Sequence, residues 1–227
     1  MTTYHLITLF KESVEPYLNS SILKRAQEKG LISIKYYNPR DFVESQITYS
    51  DRRVDNRPYG GGPGMVIEAL PIIRAVEAAV GKKISSAKLK SKVKIVFFNP
   101  SGKQFTNDMA ESFKKYTDIV FVCGRYEGID ARVKKAFPMV DISVGPYVLT
   151  GGELPAMIMV DTITRRIPGA LGDHTSVEEN RISSPDVYTR PEVIEYKGKK
   201  YRVPKVLLSG HHAKMDQWRE SKKKKAE

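Results

Sequence analysis

Three glycine-rich segments constrain this chain more than any other feature. They read Pro58-Tyr59-Gly60-Gly61-Gly62-Pro63-Gly64-Met65, Cys123-Gly124-Arg125-Tyr126-Glu127-Gly128-Ile129-Asp130 and Ser143-Val144-Gly145-Pro146-Tyr147-Val148-Leu149-Thr150-Gly151-Gly152-Glu153. A residue without Cβ lets other groups approach the main chain and admits positive φ. One such segment reads as a tight turn, which glycine and proline explain well enough. Three in one chain predict loops at strand ends whose backbone N–H and C=O groups line a common pocket. Such a lining suits a small flat ligand such as a nucleoside.

The runs between these segments alternate in type. Residues 4–10, 31–37, 94–98, 119–123 and 140–144 are short, apolar and rich in β-formers, and read as strands. Residues 20–29, 71–80, 106–115, 130–137 and 154–165 read as helices. Pro16 opens the first, Gly30 ends it, Thr106 caps the third, and Pro155 sits in the first turn of the last, where proline is tolerated. Residues 41–64 are polar and basic and read as a long loop, a length usually kept for function. The alternation predicts an α/β domain with a largely parallel sheet. In open sheets of this kind ligands bind beyond the carboxyl ends of the strands. Residues 99–102, 124–128 and 145–152 all fall at such ends.

Composition narrows the partner. The 227 residues carry 38 Lys and Arg against 26 Asp and Glu, a formal charge of +12, which favours a polyanion, with nucleic acid first. No apolar run approaches the roughly 18–20 residues of a spanning helix, so no membrane partner is expected. The opening Met1-Thr2-Thr3-Tyr4-His5 lacks the basic and apolar regions of a secretion signal. Cys123 is the single cysteine, which fits a reducing cytoplasm. The four histidines, His5, His174, His211 and His212, form no metal-binding spacing. Residues 168–191, crowded with glycine, serine and proline, read as a linker. The remainder is a small basic tail with a helix over 211–224 carrying Trp218. It ends in a four-lysine run at 222–225, a weak phosphate grip or a solvated end.

No phosphate-loop, dinucleotide or serine-hydrolase motif occurs, so those chemistries lose support. The longer motifs are informative together. The stretch 57–65, the run Cys123–Asp130, the run Tyr147–Met157, Tyr188-Thr189-Arg190-Pro191-Glu192-Val193 and Val206-Leu207-Leu208-Ser209-Gly210 closely resemble the TrmD family, bacterial tRNA (guanine-N1)-methyltransferases of the SPOUT class. The resemblance spans residues 9–218. It implies an α/β SPOUT-type parallel sheet with a deep trefoil knot, plus a small helical C-terminal domain. The implied division is a knotted catalytic domain at 1–168, a linker at 169–187 and a tRNA-binding domain at 188–227. It further implies a cytoplasmic homodimer that transfers methyl from S-adenosylmethionine to N1 of guanine at position 37 of tRNA, with magnesium assisting. A non-catalytic tRNA-binding homologue, or a methyltransferase acting at another RNA position, is the alternative.

Carried over motif by motif, the resemblance assigns Phe97, Phe98, Asn99, Pro100, Gly124, Tyr126, Glu127, Val144, Gly145, Tyr147, Val148, Leu149, Gly151 and Gly152 to the cofactor. Glu127 is a partner for the cofactor's positive groups. Asp55, Arg57, Tyr59, Gly60, Gly61 and Gly62 are assigned to the target guanine, and Arg165 to the negative charge that grows on O6. Arg165 follows Asp161 by four residues, so the two share a helix face, where a surface ion pair is the plainer reading. The family's linker aspartate matches Asn180 here, and a carboxamide cannot take the N1 proton. Glu179 is the first candidate for that base, with Glu178 and Asp173 as alternatives. Pro146 is a second departure, standing where an acidic residue is common and removing a backbone donor.

Overall fold

β-branched and aromatic residues concentrate in short runs, and the longer of these become strands of one sheet. The computed structural model describes residues 1–44, 52–84, 91–171 and 186–223. In chain order the elements of the first unit are β1 (Thr2–Ile7), α1 (Glu15–Leu18), α2 (Ser21–Glu28), β2 (Ile32–Tyr37), β3 (Asp55–Asn56), β4 (Val66–Ile67), α3 (Ala69–Ile84) and β5 (Val93–Gln104). There follow α4 (Asn107–Phe113), β6 (Asp118–Val122), α5 (Val133–Ala136), β7 (Val140–Ser143) and α6 (Glu153–Thr164). The main sheet has the order β2-β1-β6-β5-β7, and every neighbouring pair in it is parallel.

Both faces of that sheet are covered, which is why its strands read as continuous apolar runs rather than alternating ones. Successive side chains still point to opposite faces. In β6, Ile119 and Phe121 enter one core cluster, while Val120 and Val122 enter the other. Leu23, Ala26, Phe113, Met159, Val160 and Ile163 from α2, α4 and α6 close the first cluster. Ile72, Ala75, Val76 and Val80 of α3 close the second, joined by Val133. Each fully buried aliphatic side chain of this kind contributes about 1.5–3 kcal/mol relative to exposure. Thr106 caps α4 as expected, its Oγ1 accepting from the Met109 N–H at 3.2 Å.

The chain departs from the sequence reading in a few places. The helix opened by Pro16 is two helices, broken at Asn19 and Ser20 with Ser21 at φ 46°. The turn expected at 99–102 lies inside β5, as a register shift between Phe98 and Lys103 against β7. The loop expected at 41–64 ends in the small antiparallel pair β3–β4, with Asp55 opposite Ile67.

The chain divides into two compact units, Met1–Gly172 and Asp173–Glu227. The second carries β8 (Val193–Tyr196), β9 (Lys199–Arg202), α7 (Lys205–Leu208) and α8 (His212–Lys223). It is therefore helical only in part, since an antiparallel hairpin precedes its helices. Trp218 of α8 packs its ring 6.2 Å from that of Tyr188.

Candidate functional site

The three glycine-rich segments are stitched together by main-chain hydrogen bonds. Glu127 N donates to Met65 O at 3.0 Å, Ile67 N to Gly128 O at 3.0 Å, and Asp130 N to Ile67 O at 2.9 Å, which joins the first segment to the second. Gly152 N donates to Gly124 O at 2.9 Å, and Arg125 bridges Gly151 in antiparallel fashion, which joins the second to the third. Two glycines make these approaches possible. A Cβ on Gly152 would stand 2.6 Å from Cys123 Cα, and one on Gly64 would stand 2.5 Å from Glu127 Oε1.

A cavity of about 300 Å³ opens where the second and third segments meet the residues that follow Phe98 in β5. Phe98, Asn99, Pro100, Gly124, Tyr126, Glu127, Val144, Tyr147, Val148, Leu149, Gly151 and Gly152 line it, all from the set assigned to the cofactor. Phe97 and Gly145 do not. Strand alternation turns Phe97 to the other face of the sheet, where Lys134 Nζ lies 4.2 Å from its ring centre. Gly145 is buried, with its carbonyl accepting from Ser143 Oγ at 2.9 Å. Arg125, Gly128, Ile142, Ser143, Thr150 and Pro155 also line the cavity without having been singled out. All but Ile142 sit inside the quoted motifs, and for Arg125 a charge amid glycines was the available signal.

Charged groups hold this lining in place. Glu153, the first residue of α6, is 3% exposed, yet it carries a carboxylate. Its Oε1 accepts from Thr8 Oγ1 at 2.8 Å, tying the end of β1 to the third segment. Its Oε2 lies 3.0 Å from Arg125 Nε, a charge pairing that is off the line of a hydrogen bond. Arg125 also lies over the Phe10 ring, 4.7 Å from its centre. Asn99 donates from Nδ2 to Asp141 at 2.9 Å and accepts from Ser101 N at 3.0 Å, so its side chain is fixed at the rim. Tyr126 holds φ 58°, a left-handed conformation that carries strain in a non-glycine residue. Burial, and next the carboxylate of Glu153, pushes the Cys123 thiol well above its ordinary pKa, which favours the protonated thiol.

A second, larger cavity of about 770 Å³ is lined in part by Asp130, the last residue of the second segment. Arg57 and Tyr59 line it, with Asn56, Glu68, Asp130 and Arg132 among their neighbours over an apolar floor of Val66, Ile67, Leu70 and Ile73. Tyr59 is wholly exposed. Asp55, Gly60, Gly61 and Gly62 do not line this cavity, and Asp55 faces Arg53 at 3.4 Å. Arg132 grips both carboxylate oxygens of Asp130, at 2.6–3.1 Å, and that hydrogen bonding lowers the Asp130 pKa.

Arg165 caps the C-terminus of α6. The ion pair expected with Asp161 is not formed, because Asp161 Oδ2 accepts instead from the Tyr17 phenol at 2.5 Å. Among the described residues no carboxylate pairs with Arg165. Glu178, Glu179, Asp173 and Asn180 lie outside the described residues. Among the described residues no cluster of three acidic, histidine or cysteine side chains could hold a metal ion. No described helix is long and apolar enough to cross a membrane.

A five-stranded parallel sheet with a main-chain-lined cavity beyond its strand ends makes this an α/β protein of the class whose sheets offer a crevice at the carboxyl edge. The family described as tRNA (Guanine-1)-methyltransferase TrmD matches residues 2–227. A tRNA (guanine-N(1)-)-methyltransferase of Carboxydothermus hydrogenoformans is 43% identical over 218 residues, covering 94% of this chain and 79% of its own. The enzyme of that name from Clostridioides difficile is 42% identical over 221 residues, covering 95% and 90%. That from Lachnoclostridium phytofermentans is 40% identical, covering 95% and 84%. The chain belongs to this family of methyltransferases.

Proposed function

We propose that this enzyme transfers the methyl group of S-adenosylmethionine to N1 of guanine at position 37 of tRNA, as a cytoplasmic homodimer whose catalytic unit is knotted and whose basic C-terminal unit binds the tRNA. The observation that carries the reading is the meeting of the second and third glycine-rich segments, with the residues after Phe98, around one cavity. The residues present fit the cofactor. The cavity is at the small end of ligand pockets, which run from about 300 to 1,000 Å³. Its glycines bare main-chain donors and acceptors that can read an adenine edge, while Phe98, Pro100, Val148 and Leu149 offer apolar walls. The bound cofactor supplies a methyl group on a positively charged sulfur.

The chain's own residues then have three tasks. Glu127 at the cavity rim provides a negative partner for the cofactor's charge. Arg57, Tyr59 and the adjoining loop hold the guanine so that N1 meets the methyl carbon at near-attack distance. Arg165, free of a carboxylate partner among the described residues, stabilises negative charge on O6 while the N1 proton passes to Glu179, or to Glu178 or Asp173. A bound S-adenosylmethionine would give up its methyl as the S–CH3 bond breaks and the N1–CH3 bond forms, with S-adenosylhomocysteine as the leaving group.

The test uses purified full-length protein, methyl-labelled S-adenosylmethionine, a tRNA transcript with guanine at position 37 and a second with that base replaced. Label on the first alone is the expected result. Equal label on both overturns the site, and label on neither overturns the enzyme. Glu178→Gln, Glu179→Gln and Asp173→Asn, measured in single turnover, identify the base by which one slows the transfer.

A further inference from the structure

The hairpin of the C-terminal unit shows an uncovered aromatic face. Its register pairs Ile194 with Tyr201 and Tyr196 with Lys199. Because side chains alternate along a strand, these four share one side of the ribbon. They are not buried: Ile194 is 55% exposed, Tyr196 61% and Tyr201 45%. A two-stranded hairpin left open on a face rich in apolar and aromatic groups is marginal in water. Such exposure commonly marks an interaction surface.

The cations around the two rings say what that face takes. Lys197 Nζ stands 5.4 Å from the centre of the Tyr196 ring, and Lys199 Nζ stands 5.4 Å from that of Tyr201. Between Arg190 and Lys205 there are six basic residues against two acidic ones. Among the described residues, Lys197, Lys199, Lys200 and Arg202 have no carboxylate partner within ion-pair distance. Aromatic rings interleaved with unpaired cations match a strand of unpaired nucleotides, whose bases stack while their phosphates meet the lysines. A protein partner would need carboxylates spaced to meet the lysines and an apolar patch to cover the rings, whereas an RNA loop supplies phosphates and stacking bases along its whole length.

We propose that the Tyr196–Tyr201 face of this hairpin is a stacking platform for unpaired bases of the tRNA substrate, with Lys197 and Lys199 on the adjoining phosphates. The proposal rests on the tRNA reading above and names the surface through which the C-terminal unit acts. Stacking on a tyrosine is sequence-tolerant, so the platform adds grip without selecting the target base.

The test compares full-length wild type with Tyr196→Leu/Tyr201→Leu, which keeps apolar bulk without a π-face, and with Tyr196→Phe/Tyr201→Phe, which keeps the rings. The probes are the tRNA transcript with guanine at position 37 and a blunt RNA duplex of similar length. The leucine variant is expected to bind the tRNA at least about tenfold more weakly, with the phenylalanine variant near wild type. Duplex affinity, which needs only the phosphates, stays level in all three, and the single-turnover rate at saturating tRNA is unchanged. Wild-type tRNA affinity in the leucine variant overturns the platform. So does an equal loss on the duplex, or a change of oligomeric state with tRNA affinity kept, which would assign the face to protein contact. A wild-type protein that binds tRNA through the two rings but transfers no methyl defeats the proposed activity and leaves the platform standing.

Discussion

Glu153 Oε2 and Arg125 Nε are 3.0 Å apart, the carboxylate buried behind the cavity and the guanidinium lining it. The pair fastens the third glycine-rich segment to the second, and Thr8 Oγ1 fastens both to the end of β1. A carboxylate is costly to bury, so this position holds the strand ends in register at the expense of an easier apolar core. Glu153→Gln keeps the volume and an acceptor for Thr8 but leaves Arg125 without its counter-charge. It is expected to lower stability by about 2 kcal/mol and to weaken S-adenosylmethionine binding. Thermal unfolding and titration calorimetry read the two effects. An unchanged cofactor affinity would mean that the pair does not shape the cavity.

Gly152 and Gly64 separate two kinds of close approach. At Gly152 an added Cβ meets the Cα of Cys123 at 2.6 Å, so main chain must move against main chain. At Gly64 it meets the Glu127 side chain, which can swing away, although φ +80° adds backbone strain. Gly152→Ala is therefore expected to cost up to about 3 kcal/mol and to weaken cofactor binding at least tenfold. Gly64→Ala is expected to cost about 1 kcal/mol and to bind the cofactor within a few-fold of wild type. The reverse ranking would show that the third segment is not a wall of the cofactor site.

Much of this architecture was legible in the residues because the sheet is buried on both faces. Runs such as Ile119-Val120-Phe121-Val122 carry a β signal that no surface requirement dilutes. The convergence of the second and third segments followed from one rule, that parallel strands place their carboxyl ends together. What escaped notice was set by contacts distant in sequence. Phe97 and Phe98 are neighbours of one chemistry, and only the pleat sends the first away from the cavity. Glu153 stands in the first turn of α6, and nothing local in the sequence shows its burial, which depends on Thr8 and Arg125. The β8–β9 hairpin has only four residues in each strand, too few to establish a period, and β9 carries three basic residues in its four. Its sole local cue is the two-residue loop Lys197-Gly198, with φ 51° and 73°.

The Cys123 thiol is expected to resist alkylation in the folded protein. It is 2% exposed, and burial holds it protonated well above the range where a free thiol, with a pKa of about 8.5, ionises. Iodoacetamide near that pH is expected to modify native protein at least about a hundredfold more slowly than denatured protein, tracking local opening. Saturating S-adenosylmethionine should slow the reaction further, since Cys123 precedes Gly124 at the cavity edge. Rapid modification of the native protein would show that the end of β6 is open to solvent.

Tyr17 holds Asp161, the carboxylate four residues before Arg165. Its phenol donates to Asp161 at 2.5 Å, and that hydrogen bond, with some burial, raises the Tyr17 pKa to about 12. A raised tyrosine pKa contributes stability that is complete below the ordinary value of 10 and is lost as pH rises through about 12, so the contact is intact at any pH used for assay. Tyr17→Phe releases Asp161, which stands four residues before Arg165 at the end of α6 and can then pair with it. A helix pair at this spacing is worth about 0.3–0.5 kcal/mol, so the single-turnover rate is expected to fall about twofold. Arg165→Ala should cost about 10²–10³-fold, the usual loss when a donor to a developing oxyanion is removed. Asp161→Asn in the Tyr17→Phe background restores the rate, because no charge is left to compete for the arginine. If Tyr17→Phe slows transfer and Asp161→Asn fails to restore it, Tyr17 acts by some route other than keeping Asp161 from Arg165.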